Sequence, residues 1–396
     1  MLTTAKATKI EIAYEFKRNL RDEFNQMFEE LWANLEENFY NETFHDTDWK
    51  GIRDRYKEYL PHVNNRNDLS RLMNDMLGEL NSSHMGFSTS GEDDEEFYST
   101  VSISTGLLFD ENDSYRVSHV VKNGPADIAD KDIRVGDILT AVDGKAVDPE
   151  VNREMYFNSP SMPEEISLTF KRGNDTITAK IHPESYYSIR NDLYDEWVDQ
   201  KQSLVDKESD EQIAYVHMKN MGGGELENFL IEMTSEAYQR DGLILDLRYN
   251  TGGNVHNDVL QFLTQRPYLQ WKYRNGDFAS QPNFTPAAKP IILLVNEQSL
   301  SDAEVAAAGF KELGLGTVVG TETYRWIIFT SGKGLVDGSF YRLPSWGVYS
   351  LDGSDNLERT GVTPDIEVVN TFKDRLLDRD PQLRRAIQLA LDQLEN

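Results

Sequence analysis

The chain has 396 residues, and single hydrophobic cores stop growing near roughly 250–300, so it must divide into two or three domains. With 39% hydrophobic, 11% aromatic and 27% charged residues it has the composition of a soluble globular protein; a formal charge of −28 argues against nucleic acid as a partner, because phosphate binding needs concentrated basic surface. No cysteine is present, which excludes disulfides, thiolate metal sites and a cysteine nucleophile, and no stretch approaches the roughly 18 apolar residues of a membrane span. The first 20 residues are charged throughout, without an apolar signal-peptide core, so the reading is a cytoplasmic protein or an exported one whose leader lies outside this sequence.

In chain order, Phe16, Leu20, Phe24, Met27, Leu31 and Leu35 recur at steps of three and four, which predicts an amphipathic helix within residues 10–39. A second helix is expected from Asp48 to Leu60, stopped by Pro61, and a third from about Asp68 to Leu80. The stretch LNSSHMGF, Leu80 to Phe87, follows it and holds His84, one of seven histidines. The acidic run GEDDEE, Gly91 to Glu96, reads as a solvated loop.

From Val101 the texture turns to short strands and turns: GLLFD from Gly106, NGPADIAD from Asn123, VGDILTAVDG from Val135 and EISLTFKR from Glu165. That order resembles a PDZ domain over Val101 to Ser185, with a loop that receives a peptide carboxylate, a Gly-Pro-Ala helix start and a Gly-Asp-Ile-Leu strand before an Asp-Gly turn. Either an added peptide strand pairs with it, or it is closed and only spaces its neighbours.

A helix is expected around Asn191 to Val205, and beyond it the pattern is α/β. IAYVHM (Ile213 to Met218), LILDL (Leu243 to Leu247) and IILLV (Ile291 to Val295) are short apolar runs separated by helical segments, as for strands buried on both faces. Ligand sites gather at the carboxyl ends of such strands.

Two of those ends carry candidate chemistry. DLRYNTGG, Asp246 to Gly253, ends in paired glycines that allow a tight turn and close approach to backbone amides. It is either an oxyanion-binding turn or simply a turn that needs glycine. NEQSLSDAE, Asn296 to Glu304, places Ser301 three residues before Glu304, a capping-box pattern at a helix start. A serine there is either a plain N-cap or a nucleophile beside helical N–H groups that favour negative charge on a substrate oxygen.

The order of these segments resembles the S41 peptidase superfamily of C-terminal processing and tail-specific proteases, in its tricorn branch. DWKGIRDRY, LGELNSSH, AYVHMKNMGGGELENF, GLGTVVGTETY and LERTGVTPDIEV follow one another as in tricorn-type cores. The resemblance implies an α/β multidomain chain: an N-terminal helical region over 1–100 carrying the Ser-His pair, a PDZ-like β-rich domain over 101–185, and a ClpP/crotonase-like α/β catalytic domain over 186–396. It also implies a serine peptidase acting through an acyl-enzyme on peptides or unfolded protein segments. Ser301 would be the nucleophile and His84 the base, with Ser83 and Glu358 orienting the imidazole. The backbone of Gly253 or Gly252, Gly253 being preferred, and that of Asp302 would form the oxyanion hole.

Two departures stand against that pattern. Other S41 enzymes use a lysine in a Gly-Lys-Gly segment, and SGKG with Lys333 occurs here, though farther from Ser301 than the family spacing. A Ser301–Lys333 dyad is therefore the alternative mechanism, with Lys333 otherwise a surface lysine. YRWIIF, Tyr324 to Phe329, stands where tricorn relatives carry glycines, and its bulk bears on the cleft and on activity. A non-catalytic peptide-binding protein is the alternative of another class, since related modules in retinoid-binding proteins use the fold for binding.

His217 is expected to be packed or partly exposed in its strand, and His256 follows the glycine turn, where contact with substrate is the less favoured reading. No histidine–carboxylate spacing suits a metal, so no metal or other cofactor is expected. The segments PAAKP and around Pro344 read as loops, and pocket-lining residues are expected between Val255 and Lys289. Upstream β-propeller repeats of the tricorn type are not found in the sequence, and homo-oligomerisation is left open.

Overall fold

The computed structural model describes residues 17–91, 99–282 and 289–395. Residues 10–16 of the first expected helix, the acidic run after Gly91 and most of PAAKP lie outside them.

Asn19 starts the first helix, Leu20–Asn38, by accepting the Arg21 N–H, and Phe24, Met27, Phe28, Leu31 and Leu35 form its buried stripe. The second helix is Trp49–Lys57, capped by Asp48. Pro61 then falls in a single 3₁₀ turn, Leu60–His62, because proline removes the N–H that would extend an α-helix. The third, Arg66–Gly78, begins two residues before the expected start, since the cap is Asn65, which accepts the Asp68 N–H.

These helices do not form a domain alone. Residues 17–91 and Arg325–Gly361 make one compact unit; residues 99–324 and 362–395 make the other, so compactness follows a different division from the three consecutive segments expected. Within the first unit the strand Phe340–Gly347 pairs antiparallel with Gly86–Ser88 on one side and Ile328–Gly334 on the other. Leu335, Tyr341 and Leu343 join the core made by the three helices. Buried Arg66 ties the two segments by pairing with Asp337 at 2.5 Å and Glu23 at 3.0 Å. Pro344, expected in a loop, is inside a strand. It is tolerated because Gly86–Ser88 pairs only with Phe340, Tyr341 and Arg342, and the opposite ladder shifts register at Phe329/Thr330. Its carbonyl still accepts the Tyr40 N–H at 3.0 Å.

In the second unit, the PDZ-like part holds the antiparallel sheet Lys145–Ala146, Ile138–Val142, Ile166–Arg172, Asp175–Ile181, in that spatial order. A further pair, Leu107–Phe109 and Val117–Val120, packs on the same core. Gly106 is in the left-handed region, and a Cβ there would lie 3.1 Å from the Pro125 ring. The Gly-Pro-Ala segment, expected to start a helix, makes only one turn: the Asp127 and Ile128 N–H groups both reach the Gly124 carbonyl and the pattern then stops.

The α/β part is a five-stranded parallel sheet in the order Ile213–His217, Gly242–Asp246, Ile291–Val295, Thr317–Gly320, Ile366–Glu367. Tyr186–Ser209, longer at both ends than expected, and Pro381–Leu394 pack Val205, Leu383, Ala386, Ile387 and Ala390 against Ile213, Ile244, Ile292 and Val319. The alternate strand residues Leu243, Leu245, Leu293 and Val318 are equally buried, so both faces of the sheet are covered. The helices Gly223–Thr234, His256–Leu263 and Asp302–Glu312 form a further layer, in which Phe229 meets Phe262 edge-on at 5.7 Å. The region Val255–Lys289, read from sequence as divergent, also carries an exposed hairpin, Leu269–Lys272 with Phe278–Gln281. Among the described residues no helix is long and apolar enough to cross a membrane.

Candidate active site

The strand Ile291–Val295 delivers the chain to Ser301, the N-cap of Asp302–Glu312. Ser301 has φ 58° and ψ −121°, a region that costs a non-glycine residue about 1–3 kcal/mol and is retained only where surroundings enforce it. Two constraints do so. The Ser301 N–H donates to Glu304 Oε1 at 3.0 Å, and buried Glu304 is held in turn by the Thr323 hydroxyl at 2.5 Å. Thr323 is anchored by the Val362 N–H at 2.9 Å. The capping box is therefore present, and it fixes the serine backbone.

The glycine turn approaches this serine directly. A Cβ on Gly252 would lie 2.6 Å from Ser301 Cβ, and Gly252 has φ 79°, so neither space nor backbone admits a side chain. Gly253 is forced by a different neighbour, because a Cβ there would lie 2.0 Å from the Met221 carbonyl oxygen. The amides differ in use. The Gly252 N–H donates to Asn250 Oδ1 at 2.9 Å, whereas the Gly253 and Asp302 N–H groups have no acceptor among the described residues. Asp302 is buried, and its carboxylate accepts from the His256 backbone N–H at 3.0 Å and from His256 Nδ1. That bond, ahead of the opposing effect of burial, raises the His256 pKa.

Ser83, His84 and Glu358 belong to the other unit. Glu358, buried in the short helix Leu357–Thr360, accepts from the Ser83 backbone N–H at 2.7 Å, the Ser82 hydroxyl at 3.2 Å and the Tyr40 hydroxyl at 2.8 Å. The Ser83 hydroxyl is buried with no hydrogen-bond partner among the described residues. His84 has φ 57° and stacks on Trp326, ring centroids 4.8 Å apart at 16°. Its Nε2 is 3.2 Å from the Trp326 carbonyl oxygen and its Nδ1 is 3.1 Å from Arg342. Burial, reinforced by the Arg342 charge, lowers its pKa, so the imidazole is neutral at pH 7. A cavity of about 690 Å³ in this unit is lined by Tyr40, Ser83, Trp326 and Glu358 among others.

Lys333 is on the strand Ile328–Gly334, exposed, and donates to Asn34 Oδ1 at 2.6 Å. His217, packed as expected, is bonded through both nitrogens, to the Tyr194 hydroxyl at 2.7 Å and the Arg248 carbonyl at 3.0 Å. His256, for which substrate contact was the less favoured reading, is engaged by the Asp302 carboxylate.

Residues 212–368 match peptidase family S41, residues 20–78 the tricorn protease C1 domain and residues 83–182 the PDZ domain. The chain therefore carries an S41 peptidase domain, a tricorn C1 domain and a PDZ domain. Among its relatives, tricorn protease homolog 1 of Streptomyces coelicolor is 29% identical over 94% of this chain, and the tricorn protease of Thermoplasma acidophilum 26% identical over 96%. The chain covers only 35% and 36% of those proteins. The crystal structure of the tricorn protease superposes with a TM-score of 0.80 over 96% of this chain and 37% of its own, at 26% identity. Helical, PDZ and α/β regions therefore follow one another in this chain as the sequence implied.

Sequence reasoning missed several residues of the candidate site. Asn250 was legible within its motif, since an asparagine two residues before a turn glycine commonly accepts that glycine's N–H. Tyr40 and Arg342 carried no local signal: their partners are 318 and 258 residues away.

Proposed function

We propose that this chain is a serine peptidase that hydrolyses peptide bonds in peptides or unfolded protein segments through an acyl-enzyme, with Ser301 as nucleophile. The observation that carries the reading is the Ser301 backbone, held at φ 58° beside two amides, Gly253 and Asp302, that no described acceptor uses. A nucleophile needs to be presented from such a constrained turn, and an oxyanion needs donors not already spent. Gly252, whose N–H is committed to Asn250, is the weaker donor.

His84 serves as the base that takes the Ser301 proton and returns it to the leaving amine. Its lowered pKa supports that role, because a neutral imidazole has a lone pair to offer at pH 7. Arg342 occupies the Nδ1 lone pair and the Nε2 proton faces the Trp326 carbonyl, so the base acts once Arg342 releases Nδ1. Ser83 and Glu358 act as positioning residues: the carboxylate grips the Ser83 backbone next to the imidazole, and the Ser83 hydroxyl is unspent. Loss of one oxyanion donor costs about 3–4 kcal/mol of transition-state stabilisation in comparable enzymes. The Lys333 ammonium is already bonded to Asn34, which favours histidine over a Ser–Lys dyad.

The test is labelling with a fluorophosphonate probe, with peptide hydrolysis alongside. Labelling at Ser301 that is lost in Ser301→Ala, falls at least about 100-fold in His84→Ala and survives Lys333→Ala supports the reading. Loss in Lys333→Ala would transfer the role to lysine. No labelling and no cleavage in the unaltered chain, with peptide binding retained, would make it a peptide-binding member of the fold.

A further inference from the structure

A second cavity, of about 740 Å³, lies wholly within the second unit. The Tyr186–Ser209 helix, the carboxyl ends of the strands Ile213–His217 and Gly242–Asp246, and the 370–380 segment wall it. Its volume is that of a small-molecule site, and it opens at the sheet edge where α/β folds hold ligands. Thr251, next to Gly252, is on its lining.

The charge of this cavity is opposite to that of the chain. Arg190, Lys201, Lys219, Arg248, Arg375 and Arg379 line it against two carboxylates, Asp378 and Asp380, in a protein of formal charge −28. Arg248 is spent on Asp246 and Asp380. Lys201 is not. It is 8% exposed, and its nearest carboxylate oxygens, on Asp380 and Asp378, are 3.6 and 3.7 Å away, beyond hydrogen-bond reach. No other acceptor for its ammonium is found among the described residues. Asp380 cannot turn to it, because its oxygens already receive Arg248, Asn370 and the Leu383 N–H. An ammonium held by carboxylates only at that range keeps donors for the oxygen of a bound anion.

The walls are aromatic. Lys201 lies 5.8 Å from the Trp197 ring centre, Lys219 4.9 Å from that of Tyr194 and Arg375 5.7 Å from that of Tyr249. Trp197 and Tyr249 meet at 82° with centroids 6.3 Å apart. Cations already take ring faces here, so the cavity does not suit another cation; it offers positive charge beside flat apolar surface. Burial lowers the His217 pKa and both its nitrogens are bonded, so it adds no charge at pH 7.

We propose that this cavity binds a small organic anion that joins a phosphate or carboxylate to a flat ring, with Lys201 completing the oxyanion and Trp197 and Tyr249 flanking the ring. The site is separate from the proposed nucleophile and does not depend on peptidase activity.

Calorimetric titration of the intact chain tests it, using adenosine 5′-monophosphate, N-acetylphenylalanine, inorganic phosphate and uncharged adenosine as probes. At least one of the two ring-bearing anions is expected to bind at least about tenfold more tightly than adenosine and inorganic phosphate. Lys201→Met should weaken it about tenfold or more, and exposed Arg379→Ala, which leaves the fold's buried pairs intact, a few-fold. Preference for the nucleotide identifies a phosphate ligand, and preference for the amino-acid derivative a carboxylate. Equal or weaker binding of both anions relative to adenosine overturns the proposal, as does binding unchanged in both variants.

Discussion

Arg342 points its guanidinium at Nδ1 of His84, at 3.1 Å. Arginine can only donate, so this nitrogen accepts, and the neutral ring carries its proton on Nε2, towards the Trp326 carbonyl. The arrangement differs from a carboxylate-backed imidazole, where Nδ1 donates. A cation beside the ring destabilises its protonated form, which is why burial and Arg342 act together to lower the His84 pKa.

Replacing Arg342 by methionine removes that cation and returns the His84 pKa towards the ordinary imidazole value. The imidazole then becomes protonated at higher pH, so with His84 as the proposed base the acid limb of the labelling rate at Ser301 should move upward in pH. The plateau rate should be equal or higher, because Nδ1 is freed. A plateau that collapses with an unmoved acid limb would mean that Arg342 acts by holding structure. The pH–rate profile of both proteins decides this.

Tyr40→Phe removes a hydrogen bond from the buried Glu358 carboxylate. Bonds to charged groups contribute about 1.5–3 kcal/mol, so thermal denaturation should show a loss of that order. Labelling of Ser301 should slow as well, since Glu358 then holds the Ser83 backbone less firmly. Ser82→Ala, which deletes the longer 3.2 Å contact, should cost less on both counts.

Gly252→Ala meets both a left-handed backbone and a contact of 2.6 Å with Ser301 Cβ. Stability should fall by about 1–3 kcal/mol. The displaced serine and turn should lower kcat for peptide hydrolysis roughly 100–1,000-fold, the scale of a lost oxyanion donor. Comparing the melting temperature with kcat separates the two effects.

His256 supplies a pH-dependent element near the Gly252–Gly253 turn. Its folded pKa is raised above 6.5, so the charged pair with Asp302 stabilises the fold fully below that value and fades as pH rises through the raised one. His256→Asn keeps an N–H donor but has no charge to lose. Denaturant unfolding followed from about pH 6 upward should fall in stability for the histidine protein across that window and be flatter for the asparagine variant.

Elements dictated by nearby residues were legible in the sequence. The Leu20–Asn38 helix follows from its three-and-four spacing and the parallel strands from their apolar runs, while the Ser301 segment stood out through its capping box. What escaped was non-local. Nothing in residues 325–361 announces that Leu335, Tyr341 and Leu343 pack with helices near the N-terminus, and a proline at 344 argues locally for a loop. The Gly-Pro-Ala turn failed as a helix for the converse reason: a local start signal was present, but the following residues did not propagate it. At the site, the two glycines were visible, but their different roles were not. Only the partners Asn250, Met221 and Ser301 separate a spent amide from an unspent one.

The strand Phe340–Gly347 also sets a schedule for the chain's synthesis. The Ser83–His84 turn emerges from the ribosome 258 residues before Arg342, the guanidinium that meets its imidazole. At roughly 5–20 residues per second, the N-terminal helices wait on the order of 10–50 seconds with the flank meant for Leu335, Tyr341 and Leu343 uncovered. During that interval the nascent chain has an apolar face and an unpaired strand edge at Gly86–Ser88, the kind of surface that holding chaperones recognise.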